Sequence, residues 1–471
     1  MKKFKLIFAT LVAALFTFAG GKALAYDITI NNGGSGTYES YQIFTGDLST
    51  DETTLSNIKW GNGITDAGKA ALQTKYSASS AAEIAKKLGD NAVDADEFAK
   101  EAGKYLQNAG GLTGLAAGYY LVQNKTVGDH EAYTNYILKV VKNVTVEPKT
   151  DTPTVEKKVK DINDSESTTT TGWQDSADYD IKDDVPFQLT ATLPNNFATY
   201  DEYYLEFADT LSSGLTYNKD AKVFLVNGND ETDVTSSFTI AEDGSSFKIN
   251  NLKSISGVTA SSKIVVRYTA KLDSNAVIGS AGNPNTVKLV YSNNPNAAGH
   301  GETPEDTVVV FTYKVIVNKV DQDNKPLANA GFTLYKKDSA GNWNVVKAIS
   351  ASEATSFTFS GIDDGDYKLS ETDTPNGYNT IDDILFTVSA KHDEESNEPK
   401  LTELSGVDST GKITFTSNTS EGSLTAPVPN TKGSILPSTG GMGTKVLYAV
   451  GVVLILIAGV LIVTKKRMEV K

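Results

Sequence analysis

Tyr367-Lys368-Leu369-Ser370-Glu371-Thr372-Asp373-Thr374-Pro375-Asn376-Gly377-Tyr378 decides how this chain is read. Its first half alternates apolar and polar residues, the period of a strand with one buried face. Tyr367 and Leu369 share that face and Glu371 continues it, so a carboxylate is aimed at the core, where an unpaired charge costs several kcal/mol. Thr374-Pro375-Asn376-Gly377 then stops the strand with turn residues.

The same texture fills residues 313–435 and recurs through 151–312, where strands are expected at 187–193, 203–209, 222–226, 263–272 and 286–291. Short, regular strands without helices point to an immunoglobulin-like sandwich. Residues 26–150 differ. They open on β-like alternation at 26–32, then carry a stretch rich in Ala, Lys and Glu at 81–106, with apolar residues at helical spacing. Gly89-Asp90-Asn91 splits that stretch into two helices, and strand-like segments follow at 118–124 and 133–146. The expected architecture is mainly β: three sandwich domains in tandem, the first with a helical insertion, with a short linker at Asp151-Thr152-Pro153-Thr154.

Strand parity finds more polar residues directed inward. Lys157 falls with Val155 and Val159, whereas Lys158 falls with Glu156 and Lys160. Asp209 follows Tyr203, Leu205 and Phe207, and Asn285 precedes Val287, Leu289 and Tyr291. Lys319 follows Tyr313, Val315 and Val317, on a strand whose other face is also partly apolar. Asn430, in Val428-Pro429-Asn430-Thr431, gives no parity signal.

Lys2, Lys3 and Lys5 precede an apolar run at 6–19, and Ala23-Leu24-Ala25 follows. This describes a secretory signal peptide, residues 1–25, cleaved after Ala25. A second apolar run at 446–464 has the ~20 residues a membrane helix needs. Lys465-Lys466-Arg467 behind it belongs in the cytoplasm, and Leu436-Pro437-Ser438-Thr439-Gly440 stands in front.

The chain has 58 acidic and 43 basic residues and a formal charge of −15; without the two ends, each +4, it would carry −23. Such a surface repels nucleic acid and anionic lipid, which excludes nucleic acid as a partner. Cysteine is absent although an exported chain would meet an oxidising compartment, so a long extracellular rod would need another brace. His130, His300 and His392 lie far apart in polar, loop-like contexts, and there is no H-x-x-x-H, paired-cysteine or Gly-rich phosphate motif. No metal, cofactor or conventional enzyme is expected. Asp321-Gln322-Asp323-Asn324 suggests calcium, but a polar hairpin turn explains it more simply.

LPSTG, an apolar helix and a basic tail, in that order, resemble sortase substrates, with residues 436–471 as the sorting signal. The resemblance implies that a sortase cysteine attacks the Thr439 carbonyl, releases the chain from Gly440 onward and passes Thr439 to an amine. Val144-Thr145-Val146-Glu147-Pro148-Lys149 resembles the pilin motif of Gram-positive backbone pilins, with Glu147 where tyrosine and Thr150 where asparagine are often found. Carried over, Lys149 is the amine that receives Thr439 of a neighbour. Lys319-Val320-Asp321, the stretch 326–335 and the opening 367–378 segment resemble the two signatures of CnaB-type domains. They imply an amide between Lys319 and Asn430, promoted by Glu371. Val155-Glu156-Lys157-Lys158-Val159, Phe207-Ala208-Asp209-Thr210-Leu211 and Asn285-Thr286-Val287 resemble an isopeptide-forming pilin domain, implying the triad Lys157, Asp209 and Asn285. In both domains the implied bond joins a first strand to a last one. The opening domain lacks a first-strand lysine, and no equivalent bond is expected there.

Burial supplies a mechanism: a low dielectric lowers a lysine pKa and raises that of an acid. A neutral amine can then attack the asparagine carbonyl while the acid polarises it and carries the proton. Ammonia leaves, once, without turnover, so the chain is not an enzyme.

The order of pilin lysine, two braced domains and sorting motif resembles three-domain backbone, or major, pilins along residues 26–439. It implies the extracellular shaft subunit of a covalently polymerised pilus attached to the cell wall. Its partners would be a pilus-type and a housekeeping sortase, identical subunits in a head-to-tail fibre and peptidoglycan, with tip and basal pilins and host-surface ligands as further candidates. The alternative is a monomeric LPXTG-anchored adhesin or minor basal pilin with a β-domain stalk. Lys149 separates the two, because an adhesin needs the sorting motif alone.

Overall fold

A computed structural model of the chain describes residues 25–31, 37–127, 131–133, 135–147, 152–166, 170–295, 298–433 and 442–468. In the first domain, Tyr38–Leu48 lies between Leu55–Trp60 and Gly118–Asn124, with Asn135–Val140 outside the latter. Three helices, Asp66–Lys75, Ala81–Gly89 and Ala95–Gly103, are inserted between Leu55–Trp60 and Gly118–Asn124. Thr65, Ser80 and Asp94 cap them, each side chain accepting a bond from the N–H three residues on. Ile84, Leu88, Phe98 and Ala102 bring the second and third helices into one core with Ile43, Phe44 and Leu121.

The chain does break at Gly89, as its turn residues indicate. Asp66–Lys75 is an additional helix; it buries only Gly68 and Leu72, too little to write a periodic apolar stripe. The expected strand at 133–146 is two strands, and the second, Val144–Val146, returns to pair in parallel with Ile28–Ile30.

The second domain is a sandwich of two seven-stranded sheets. In one sheet, Val155–Ile162 pairs with Asp184–Thr192, which pairs with Lys263–Leu272. In the other, Leu205–Leu211 pairs with Asn283–Ser292, which pairs with Asp306–Phe311. Phe187, Leu189 and Val266 from one sheet meet Phe207, Phe247 and Leu289 from the other in a single core. Inward residues alternate with outward ones along Asp184–Thr192, the pattern a pleated strand imposes.

The third domain faces a four-stranded sheet against a five-stranded one. Its first and last strands, Tyr313–Asp321 and Ser423–Asn430, lie side by side in parallel, with Lys319 opposite Val428. Asp321-Gln322-Asp323-Asn324 forms a tight turn: Asn324 adopts a φ of 61° and its N–H reaches the Asp321 carbonyl at 3.0 Å. A separate helix, Met442–Met468, contains a 22-residue segment, Lys445–Lys466, long and apolar enough to cross a membrane.

The second and third domains touch closely. The Ile181 N–H donates to the Gly361 carbonyl at 3.1 Å, and a Cβ on Gly361 would stand 2.2 Å from Ile181 Cδ1. Gly361 also has a φ of 79°, which side-chain-bearing residues rarely adopt. Gly361→Ala is therefore expected to destabilise the protein by at least about 1 kcal/mol, lowering the thermal midpoint measured by calorimetry; an unchanged midpoint would contradict this packing.

Candidate functional site

Two polar clusters lie inside the two sandwiches. In the second domain, register fixes the geometry. Asp209 pairs with Val287 and Leu211 with Asn285, so Asp209 and Asn285 are diagonal neighbours on one face of adjacent strands. Lys157 descends from the opposite sheet, paired with Leu189. All three are buried. The Lys157 amine donates to the Asp209 carboxylate and, at 2.6 Å, to Asn285 Oδ1. The Phe187 and Tyr268 rings each lie 5.7 Å from Nζ. Burial lowers the Lys157 pKa to about 8, against the opposing pull of Asp209.

Tyr268 completes this cluster, and the sequence reading had not singled it out. Its hydroxyl donates to Asp209 Oδ2 at 2.5 Å and accepts from Asn285 Nδ2 at 2.7 Å. Burial, reinforced by the Asp209 carboxylate, holds the phenol well above its ordinary pKa, so it stays protonated. The signal was present: Tyr268 shares the inward parity of Ile264, Val266 and Ala270, and a buried tyrosine needs a partner for its hydroxyl.

In the third domain the Lys319 amine donates to the Asn430 side-chain oxygen and to the Val428 carbonyl, the latter at 2.9 Å. Glu371 Oε1 stands 3.6 Å from the amine. Asn430 Nδ2 donates to both Glu371 oxygens, at 3.0 and 3.1 Å. Glu371 Oε2 also accepts from the Ile381 N–H at 3.1 Å and the Thr374 hydroxyl at 3.3 Å, which hold the carboxylate in place. Burial lowers Lys319 to about 8, with Glu371 opposing.

In both clusters the lysine nitrogen touches the carboxamide oxygen. A carboxyl group serves the carboxamide nitrogen directly in the third domain and through the Tyr268 hydroxyl in the second. This arrangement can deliver an amine to a carbonyl carbon and a proton to a departing nitrogen.

Lys336, also buried, is the useful contrast. Burial alone would lower it, but Asp363, Asp180 and Asp164 outweigh that and hold its ammonium above the ordinary lysine value. It is an ionic clamp, 2.8 Å from Asp180 and 3.4 Å from Asp164, and no carboxamide is among its partners.

The structure thus brings together Lys157, Asp209 and Asn285, and separately Lys319, Glu371 and Asn430. Two expectations change. Asn285 is not on a last strand: Asn283–Ser292 is followed by His300–Glu302 and Asp306–Phe311, because the sheet needs a further strand to cover its edge. His300 and His392 are not in loops: His300 begins the strand His300–Glu302, and His392 ends the strand Ile384–His392, its side chain largely shielded where the second and third domains meet. Ala25 is exposed. Lys149 and the motif Leu436, Pro437, Ser438, Thr439, Gly440 lie outside the described residues. Among the described residues of the first domain, no lysine or carboxylate is buried.

Consecutive β-rich domains, with lysine–carboxylate–asparagine clusters inside two of them, are what the comparisons with known proteins have to match. Residues 181–295 match the family described as Gram-positive pilin backbone subunit 2, Cna-B-like domain, and residues 313–402 match the prealbumin-like fold domain family. The trypsin-resistant surface T6 protein of Streptococcus pyogenes serotype M6 is 25% identical over 404 residues, 72% of each chain. The structure of the T6 backbone pilin of that serotype superposes with a TM-score of 0.56 at 16% identity, over 89% of this chain and 100% of that one. The full-length major pilin SpaD of Corynebacterium diphtheriae gives 0.46 at 17% identity, over 87% and 97%. Two of the chain's domains thus match families of Gram-positive pilins, and the chain is similar along most of its length to backbone pilins.

Glu371→Ala would leave Lys319 buried without its carboxylate, a loss of about 3–5 kcal/mol. The third domain should then melt well before the second, resolved by calorimetry with a tryptophan probe at Trp343; a single unshifted transition would refute the assignment.

Proposed function

We propose that this chain is the shaft subunit of a covalently polymerised, wall-anchored pilus, braced inside its second and third domains by lysine–asparagine amides. One observation carries the reading. Two successive domains each bury a lysine, its pKa lowered to about 8, with its amine on the carboxamide oxygen of an asparagine and a carboxylate alongside. A lysine held only as an ion pair, like Lys336, keeps carboxylates and no carboxamide on its amine.

The step balances without a co-reactant. The neutral Nζ of Lys157 or Lys319 attacks Cγ of Asn285 or Asn430, and the new C–N bond forms as the Cγ–Nδ2 bond breaks. The proton shed by the attacking nitrogen passes through Asp209 and Tyr268, or through Glu371, to Nδ2, which leaves as ammonia. No water enters and the acid is regenerated. The same chain then serves as a sortase substrate: the Thr439 carbonyl is transferred to the Lys149 amine of the next subunit, and the segment from Gly440 is released. Repetition builds a head-to-tail fibre.

Recombinant residues 26–439 made without sortase should weigh less than the sequence by two ammonias, and Lys157→Ala and Lys319→Ala should each restore one. An intact-mass spectrum showing no deficit would sink both bonds. Bond formation after refolding should quicken as pH rises toward about 8, where the amines become neutral, and level off above it. With a pilus-type sortase, the parent chain should give a ladder of covalent multimers and Lys149→Ala only monomer; an undiminished ladder would remove Lys149 from its role.

A further inference from the structure

The second and third domains meet over an excess of acid. The second contributes Asp161, Asp164, Asp178, Asp180 and Asp183, and the third contributes Asp363 and Asp364 together with two bases, Lys336 and His392. With every group ionised, carboxylates would outnumber cations by five. Carboxyl oxygens of Asp161 and Asp178 lie within 4.8 Å of each other, and those of Asp164, Asp180 and Asp183 stand as close. Carboxyl groups so near one another and shielded from water do not all ionise together. Around the rim, Glu166 and Glu394 add to the negative field. Lys158 and Lys337 are paired with Asp175 and Asp366 at 2.7 and 3.5 Å, and Lys182 and Asp338 line the cleft beside Asp183.

The hydrogen bonds place protons in this cluster. The Ser176 hydroxyl spends its one hydrogen on the Asp393 carbonyl at 2.6 Å, so it accepts from His392 Nδ1 at 2.8 Å. His392 Nε2 faces Asp161 Oδ2 at 3.5 Å, and the ring serves both neighbours only when both nitrogens are protonated. Asp178 takes a bond from the Tyr313 hydroxyl. Across the seam, the Asp363 N–H donates to Asp180 Oδ1 at 3.0 Å and the Asp364 N–H to Asp178 Oδ2 at 3.2 Å. These contacts tie the domains together, and they also press acid against acid.

Burial raises Asp178, Asp180 and Asp363, and it pushes Asp183 and Asp364 up to about 6, in each case against the pull of Lys336 or His392. Burial alone would lower His392, but Asp161 and Asp178 outweigh it and raise the imidazole.

We propose that the junction of the second and third domains is a proton-held latch, closed in mild acid, where its carboxyl groups share protons around Lys336 and His392, and loosened as rising pH ionises the acids of the two domains against each other. Each raised acid holds in the closed seam a proton that it would give up near its ordinary pKa of about 4 once the seam opens. The closed form is therefore most stable below about pH 4 and weakens as pH climbs through about 6, and loss of the His392 proton acts in the same direction. Lys336 remains an ammonium throughout. For each proton held in this way, the closed-to-open ratio falls by up to about tenfold per pH unit. The latch depends neither on the amides nor on polymerisation.

Three amides report on the seam directly: those of Asp363, Asp364 and Ile181, whose N–H bonds the Gly361 carbonyl. Their hydrogen-exchange protection factors, measured by NMR on residues 26–439 and corrected for intrinsic rates, should fall about 10–100-fold from pH 5 to pH 7. Factors in the Asp184–Thr192 ladder should change by less than about twofold. Asp178→Asn and Asp364→Asn keep an acceptor oxygen but cannot ionise, and each should flatten the fall at the seam. Seam protection that does not change with pH in the parent chain overturns the latch, as does an equal loss in the ladder or an undiminished fall in both variants. None of these outcomes bears on whether the mass deficit is found.

Discussion

The structure turns on two lysines placed where water cannot reach. An ammonium inside a sandwich costs several kcal/mol unless partners compensate, and a single carboxylate offsets that only in part. Both lysines respond as burial dictates, with the amine brought toward neutrality near pH 8. A neutral amine in contact with a carboxamide is a reagent. Lys336 shows the other outcome: with three carboxylates around it, the same side chain stays an ammonium and holds two domains by charge alone. What separates Lys157 and Lys319 from Lys336 is the count of carboxylates against carboxamides in the cage.

The two cages place their carboxyl groups differently against the carboxamide nitrogen. In the third domain Glu371 contacts the carboxamide nitrogen itself and is held by Ile381 and Thr374 from the turn that follows its strand. In the second, Asp209 is diagonal to Asn285 on the same sheet, and the Tyr268 hydroxyl from the facing sheet bridges it to the carboxamide nitrogen. A strand carries inward residues at every second position, so an aspartate, one methylene shorter than glutamate, leaves a gap. The phenol fills it.

Much of this was legible in the amino acids, because a strand writes its two faces as alternate letters. Lys157, Asp209, Asn285, Lys319 and Glu371 all declare themselves as polar residues on an apolar parity. Asn430 does not, since Pro429 and its neighbours erase the alternation, and only the family resemblance reached it. Tyr268 was hidden by being ordinary, an aromatic residue on a core face. The helix Asp66–Lys75 was missed because it buries so little. The junction that holds Lys336 and His392 could not be read at all: its partners Asp180 and Asp178 lie 156 and 214 residues away in another domain, and parity reports one strand at a time.

The placement of Asn285 has a mechanical consequence. In the third domain the first and last strands are parallel neighbours, so tension applied at residues 313 and 430 loads their ladder in shear. An amide between Lys319 and Asn430 would carry that tension directly and leave residues 320–429 slack. In the second domain the amide would shunt residues 158–284, but the chain from 286 to 311 would remain in the load path. That segment is held by its own pairing: Asp306–Phe311 lies antiparallel to Asn283–Ser292 and parallel to Ser176–Asp178. Its last residues run straight into Tyr313 and the junction where His392 and Lys336 sit. With both amides formed, the seam between the two domains, where the polar contacts of Asp161, Asp178, Asp180 and Asp363 are concentrated, would be the part of the load path that no covalent bond shunts.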